Sequence, residues 1–424
     1  MKIHPLITTT EALADLCGRL AKADFVTVDT EFMRENTYWP ELCLVQIADT
    51  QEAAAIDPLA PGIDLSPLLN LLVDNEDVLK VFHAGGQDVE IIYNLTGKTP
   101  HPIFDTQIAM MAVSQSEQIG YSNLVESWLG LSIDKGARFT DWGRRPLTER
   151  QIEYAIGDVT HLSTIFPKLL KRLIKTGRGA WLDIEMEKLA DPDNYRSDRD
   201  QVWQKIRAPS RNPGVLGRLK ALAAWRETEA MDKNIPRGRI MRDETLADIA
   251  SHPPREQAEL AKVRGLSSGW KDNEIGRRLM QTLAAAQPLT EDEMPPRAPR
   301  GAPLGKEGAL VADLLKLLLK IRSREIDIAA RLLARSDDLE ALAAGQRKNL
   351  SILEGWRFDQ FGRDALELVE GKLAFAVVNG KLKMAHIDLI GGNGTPAAVV
   401  AEPVELAPIV PELIVEDTVA PDDE

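Results

Sequence analysis

Residues 25–32 read FVTVDTEF. Aromatic and β-branched residues fill the run, which marks a strand, and residues two apart on a strand share a face. Asp29 and Glu31 therefore project together, while Val28 and Thr30 point the other way. Alone, such a pair is more often two solvated acids at a strand end. Further strand-like runs follow at 42–49 (LCLVQIAD), 52–58 (EAAAIDP) and 78–84 (VLKVFHA). Helical patterns interleave with them: TTTEALADLCGRLAKA opens on threonine caps, and SPLLNLLVD and DVEIIYNL follow strands. The expected fold of this part is α/β, built on a mixed sheet flanked by helices.

From about Arg144 the pattern becomes helical. LTERQIEYAIGDVTHLSTIFPKLLKRLIKTG is one amphipathic segment in which Pro167 predicts a kink or break. DPDNYRSDRD (191–200) reads as a linker, and two helical units then resemble a diverged repeat. Gly265 pairs with Gly355 and Gly276 with Gly362, and the second unit is read as lacking the NIPRGRI segment of the first. LAFAVVNGKLKMAHI carries a hairpin signal at Asn379-Gly380. The expected divisions are 1–180, a linker at 181–208, a helical domain at 209–290, a Pro-rich linker at 291–304, a degenerate second copy with the hairpin at 305–390, and an acidic disordered tail at 391–424.

The net charge of −14 argues against a nucleic-acid partner only if it is evenly spread. Residues 1–170 hold 12 Lys/Arg against 24 Asp/Glu, and residues 387–424 hold 9 acids and no base, which leaves the middle of the chain with a surplus of seven positive charges. Cys17 and Cys43 form neither a Cys-x-x-Cys pair nor a cluster with histidine, so a zinc site and a disulfide framework lack support and a reducing compartment is expected. MKIHPLITTTEAL shows no apolar h-region behind a basic start, and no segment reaches the roughly 20 apolar residues of a membrane span. A cytoplasmic chain with no membrane and no protein partner is the expectation.

Other acids change the weight of the first pair. Asp88 lies in HAGGQDVEII, near a helix start, where a cap or dipole role competes. Tyr154 and Asp158 occur as YAIGD, one helical turn apart on one face. Four acids converging without Lys or Arg partners repel one another, and divalent cations normally neutralise such a cluster. Oxygen donors alone favour Mg²⁺ or Mn²⁺, and two such ions suit phosphoryl displacement.

The order DTE, HAGGQD, YAIGD resembles the three motifs of the DEDD superfamily of 3′-to-5′ exonucleases, and most closely the ribonuclease D family. LCLVQIAD and FTDWGRRPLTERQIEYAIGDV resemble that family's strand and its approach to the third motif, and the helical copies resemble its HRDC domains. The resemblance implies a ribonuclease H-like α/β exonuclease domain followed by all-α HRDC bundles. It implies that Asp29, Glu31, Asp88 and Asp158 hold two divalent cations and that Tyr154 orients the attacking water. With Glu153 where the histidine branch needs His, the tyrosine branch is indicated.

Thr30, Phe32, Met33 and His83 are candidate substrate contacts. For Phe32 and Met33 simple core packing is the alternative to stacking on a terminal base, and for His83 a structural role at a strand end is the favoured reading. His161, one turn after Asp158, is a weaker phosphate candidate. Residues 201–290 carry 16 Lys/Arg against 10 Asp/Glu, and Arg211, Arg218, Lys220, Arg237 and Arg239 are candidate nucleic-acid contacts, with solvated helix faces as the alternative. The implied activity is exonucleolytic release of 5′-mononucleotides from RNA 3′ ends, tRNA precursors above all. A DNA exonuclease of the same superfamily and a non-catalytic RNA-binding adaptor are the alternatives.

Overall fold

The computed structural model describes residues 1–196, 198–295, 304–387 and 402–403. A six-stranded mixed sheet forms from β1 (Lys2–Ile3), β2 (Phe25–Met33), β3 (Glu41–Ala48), β4 (Glu52–Ile56), β5 (Leu79–Phe82) and β6 (Ile103–Asp105), in the order β1-β4-β3-β2-β5-β6. β2 and β3, and β3 and β4, pair antiparallel; β1 runs parallel to β4 and β2 parallel to β5. The four expected strands are all present. β1 and β6 are too short to show a periodicity.

Period-two alternation divides the sheet into two buried faces. Val26, Val28, Val45, Ile47, Ala54 and Ile56 meet α1 (Thr10–Leu20), α2 (Ser66–Val73) and α3 (Gly86–Thr96). Thr9 caps α1 by accepting from the Ala12 N–H, as its threonine run predicts. On the other face Leu44, Ala48, Ala53 and Ala55 pack with Trp142, Leu147, Ala155, Ile156 and Val159.

After α4 (Thr106–Met110) and α5 (Tyr121–Leu129) comes α6, which runs from Glu149 to Thr176 without the break expected at Pro167. Leu162, Ile165, Phe166, Leu169 and Leu173 are buried on both sides of the proline. Their packing offsets the roughly 3 kcal/mol that an interior proline costs a helix. α7 (Asp183–Ala190) lies inside the stretch read as linker, and Val202, Trp203 and Ile206 already belong to the core of the first helical copy.

That copy comprises α8 (Pro213–Asp232), capped by Asn212, α9 (Arg237–Ile240), α10 (Asp243–Ser251) and α11 (Glu274–Ala285). The second comprises α12 (Lys306–Glu325), α13 (Ala330–Leu333), α14 (Ser336–Ala343), α15 (Gly355–Arg357), a π turn at 358–362 and α16 (Arg363–Val369). A hairpin of β7 (Leu373–Val378) and β8 (Lys381–His386) turns at Asn379-Gly380, both with positive φ, and β9 (Glu402–Pro403) pairs with β8. Residues 296–303 of the Pro-rich linker, and all of the acidic tail except 402–403, lie outside the described residues.

The paired glycines have a common physical basis. A Cβ on Gly276 would stand 1.8 Å from the Trp270 carbonyl oxygen, and one on Gly362 would stand 1.9 Å from that of Ile352. Gly265 and Gly355 both adopt left-handed backbone, with φ of 91° and 52°. One expectation is corrected: the second copy keeps a counterpart of NIPRGRI. Asn234 and Asp327 share left-handed φ values of 47° and 51°, and each is followed by a one-turn helix, α9 or α13. DIAARLL (327–333) keeps the backbone while changing most side chains, which hid it from sequence comparison.

Each corner also anchors its copy. Asn234 Oδ1 accepts from the backbone N–H groups of Tyr38 and Trp39, each at 3.1 Å. Asp327 Oδ1 accepts from Gln115 at 3.2 Å, and the Ala329 N–H donates to Met111 at 2.8 Å.

Contacts group the described chain into two units. One contains Met1–Phe104, Leu129–Thr164 and the chain from Glu187 through the first helical copy; the other contains Asp105–Trp128, Ile165–Met186 and the second copy. Gly276→Ala and Gly362→Ala should each lower stability by about 1–3 kcal/mol in urea titrations, because the new methyl meets backbone oxygen. Gly18→Ala, which meets nothing within 4 Å in α1, should be neutral or stabilising.

Candidate active site

β2 carries Asp29 and Glu31 toward α6, as the two-residue spacing requires. The Thr27 hydroxyl, on the same face, donates to the Val159 carbonyl at 2.9 Å and so ties β2 to α6 beside Asp158. Oxygens of Asp29, Glu31 and Asp158 consequently lie within 4.8 Å of one another. Just beyond Glu31 the register with β3 slips: Glu31 pairs with Leu44 and Phe32 with Leu42. This bulge ends regular pairing at the acids and re-aims the following side chains.

Asp88 reaches the site from the opposite layer. Ala84 takes left-handed backbone (φ 57°) in the turn after β5, and α3 begins at Gly86, so Asp88 falls in its first turn. There it is buried and accepts a hydrogen bond from the Thr30 hydroxyl, while its charge acts on Glu31. Three of the four expected acids thus form one cluster, and the fourth is docked on Thr30 beside it. Thr30, a candidate substrate contact, has its side chain buried against Asp88.

Burial is the largest influence on every clustered acid. Asp29 is held well above the usual carboxyl range by desolvation and by Asp158, offset by a hydrogen bond from the Thr30 backbone N–H. Glu31 is pushed up to about 9 by desolvation and then by the charges of Asp29, Asp158 and Asp88. Asp158 rises to about 7 by desolvation, against the lowering effects of its hydrogen bond with Tyr154 and of Arg138. The Tyr154 phenol is likewise raised, by desolvation and then by Asp158, Glu31 and Asp29. Its ring lies 6.3 Å from that of Trp142.

Two arginines escaped the sequence reading. Arg138 is exposed, yet its charge acts on Glu31, Tyr154 and Asp158; its guanidinium stands 5.3 Å from the ring centroid of Phe139, which is 87% exposed. A cation beside an aromatic, just ahead of TDW, was the available signal. Arg145 forks onto both Asp57 oxygens at 2.7 and 2.6 Å and donates to the carbonyls of Cys43 and Trp142, each at 2.7 Å. It thereby pins the TDWGRR segment, with Trp142, to the sheet.

An all-oxygen cluster whose members resist ionisation in the buried layer fits a divalent cation. A family profile described as 3′-5′ exonuclease matches residues 5–174, and one described as HRDC domain matches 215–283. Ribonuclease D of Sphingobium indicum is 70% identical over 386 residues, covering 91% of this chain and all of that one. Ribonuclease D of Zymomonas mobilis is 62% identical over 388 residues, covering 92% of this chain and all of its own. The chain belongs to the ribonuclease D family. The crystal structure of Escherichia coli RNase D, titled an exoribonuclease involved in structured RNA processing, superposes with a TM-score of 0.70 at 30% identity, covering 87% of this chain and 99% of that one.

This member of the ribonuclease D family is accordingly a 3′-to-5′ exoribonuclease, an enzyme acting on RNA, with an α/β exonuclease domain followed by helical HRDC structure. The exonuclease superfamily is metal-dependent. Among the described residues no helix is long and apolar enough to cross a membrane.

The remaining candidates are dispersed. Met33 packs onto the Trp142 layer, the packing alternative raised for it; Phe32 is half-buried just past the bulge, and His83 is half-buried after β5. The ring of His161 is lowered in pKa by burial. The five basic candidates all have partners within the chain. Arg211 donates to the Pro295 carbonyl, Arg218 to that of Ala250, and Lys220 pairs with Glu293. Arg237 pairs at 3.2 Å with Glu227, whose buried carboxylate also accepts from the Tyr38 hydroxyl, and Arg239 donates to Asn36. Arg237 and Arg239 thus hold the first HRDC copy against the loop that continues β2.

Two outcomes follow from the electrostatics. Acids with raised folded-state pKa values keep their protons while the unfolded chain releases them above about pH 4. Stability of the metal-free protein is therefore full below that point and falls as pH rises toward about 9, the Glu31 value. Calorimetry in chelator should show this decline, and Asp29→Asn should flatten it. Arg145→Ala should cost about 2 kcal/mol in urea titrations, below the range for a fully buried pair because Arg145 is partly exposed.

Proposed function

We propose that Asp29, Glu31, Asp88 and Asp158 hold two divalent cations, Mg²⁺ or Mn²⁺, and that the enzyme hydrolyses the terminal phosphodiester of RNA to release 5′-mononucleotides. The carboxylate cluster carries this reading. Bound there, the cations would supply an activated water and charge stabilisation for an in-line displacement. The chain's own contribution is positional. The Tyr154 phenol, raised in pKa, stays protonated at neutral pH and commits its proton to Asp158, so its oxygen is available to accept a hydrogen bond from a water. It orients that water and does not deprotonate it. Asp88, docked on Thr30, adds charge beside the cluster without joining the tight triplet.

The substrate in this reading is a structured RNA 3′ end, tRNA precursors above all, in the cytoplasm. The description of the E. coli protein as acting in structured RNA processing supports it. Of the apolar candidates, Phe32, half-buried just past the bulge, is the one left to stack on a terminal base, since Met33 packs onto the Trp142 layer. The basic surplus of the middle region supplies positive potential for RNA that the acidic front lacks. Because Arg211, Arg218, Lys220, Arg237 and Arg239 are engaged internally, their part in RNA binding is mainly to set the shape of that surface.

Digestion of 3′-extended tRNA and matched single-stranded DNA, with Mg²⁺, Mn²⁺ or EDTA, tests this reading. Metal-dependent release of 5′-mononucleotides from the RNA is expected; internal cuts or activity in EDTA would sink it. Asp29→Asn and Asp158→Asn should abolish both hydrolysis and Mn²⁺ binding. Tyr154→Phe should lower kcat by about 10–100-fold, as a misplaced reactant does, with Mn²⁺ affinity retained.

A further inference from the structure

Gln46 stands on β3 in register with Asp29. Residues directly opposite on antiparallel strands project to one face with Cβ atoms roughly 5 Å apart. The Gln46 side chain is 0% exposed, and neither Oε1 nor Nε2 has a hydrogen-bond partner among the described residues. Its neighbour on the other side is Ala55, whose methyl offers none. The covering layer is Trp142, Ala155, Ile156 and Val159, and the Trp142 indole Nε1 is likewise buried without a partner. Burying a primary amide with both ends unpaired opposes folding, and Met or Leu would fill that space without the penalty. Such a group beside an acid of the cluster points to a task at that acid.

An ionised Asp29 holding cations needs donors for the lone pairs that face away from the metal. The Thr30 backbone N–H supplies one. We propose that Gln46 is a positioning residue whose carboxamide N–H donates to the Asp29 carboxylate in the cation-loaded enzyme and fixes its orientation toward both ions. This rests on the cation-site reading above. Partners behind metal ligands commonly govern affinity or activity by about 10–100-fold. Gln46 would do so from inside the sheet, without touching RNA.

The full-length chain, Gln46→Met and Gln46→Asn, which withdraws the amide by one methylene, would be compared by Mn²⁺ titration calorimetry, by metal-free melting temperature, and by kcat and KM on a short RNA. Both variants should bind Mn²⁺ at least about 10-fold more weakly and lose kcat with the RNA KM unchanged. Gln46→Met should melt no lower than the parent without metal. Should Gln46→Met not fold, Gln46→Asn carries the same expectation. Mn²⁺ affinity and kcat within twofold of the parent in whichever variant folds would overturn the proposal and leave the amide to a buried water or to packing. So would a lower metal-free melting temperature with unchanged Mn²⁺ affinity. A parent that binds no Mn²⁺, or an Asp29→Asn chain that binds it normally, would instead overturn the cation site itself.

Discussion

Mutual repulsion among Asp29, Glu31 and Asp158, confined within 4.8 Å in a half-buried layer, is the constraint around which the exonuclease domain is arranged. Water screens such a cluster poorly once it is enclosed, so the surrounding structure must hold the acids together against their own charge. The tie from Thr27 to Val159 fixes β2 against α6, and the Arg145 fork onto Asp57 pins the segment that brings Trp142 beneath Tyr154. Both lie one step from the acids. In the cation-site reading proposed above, bound cations would offset the cost that these ties sustain, so stability and function would oppose each other at the site.

The same economy explains the charge map. A surface acidic enough to hold cations is unfavourable for RNA, and the compensating positive charge sits in the middle of the chain. The first HRDC copy meets the loop that continues β2 through the left-handed corner at Asn234 and the arginines after it. In the second copy the corresponding corner at Asp327 makes its own anchoring contacts to Gln115 and Met111. The two corners share a backbone shape and an anchoring role, while their partners differ.

Much of the site is legible in the sequence. The alternation in FVTVDTEF placed Asp29 and Glu31 on one face, and the i, i+4 spacing placed Tyr154 beside Asp158. Pro167 does not break α6, because local propensity carries no information about the leucines and phenylalanine buried on both sides of it. The counterpart of NIPRGRI was hidden because φ at Asp327 is preserved while most side chains are not. Arg138 carries only the weak local mark of an adjacent phenylalanine, and nothing in the local sequence around Arg145 shows that it reaches Asp57, far away in the chain.

By itself the sequence determined the α/β-then-helical order, the acid inventory and the repeat, since each depends on periodicity or spacing within one element. Only the tertiary structure decided which acids cluster and which docks on Thr30. It also decided that the basic candidates are spent on internal partners, and that Gln46 faces Asp29 without a hydrogen bond of its own. Those outcomes turn on strand register and on contacts between elements distant in the chain. A one-residue change of pairing would turn Gln46 to the other face of the sheet, and no property of LCLVQIAD alone records which pairing is made.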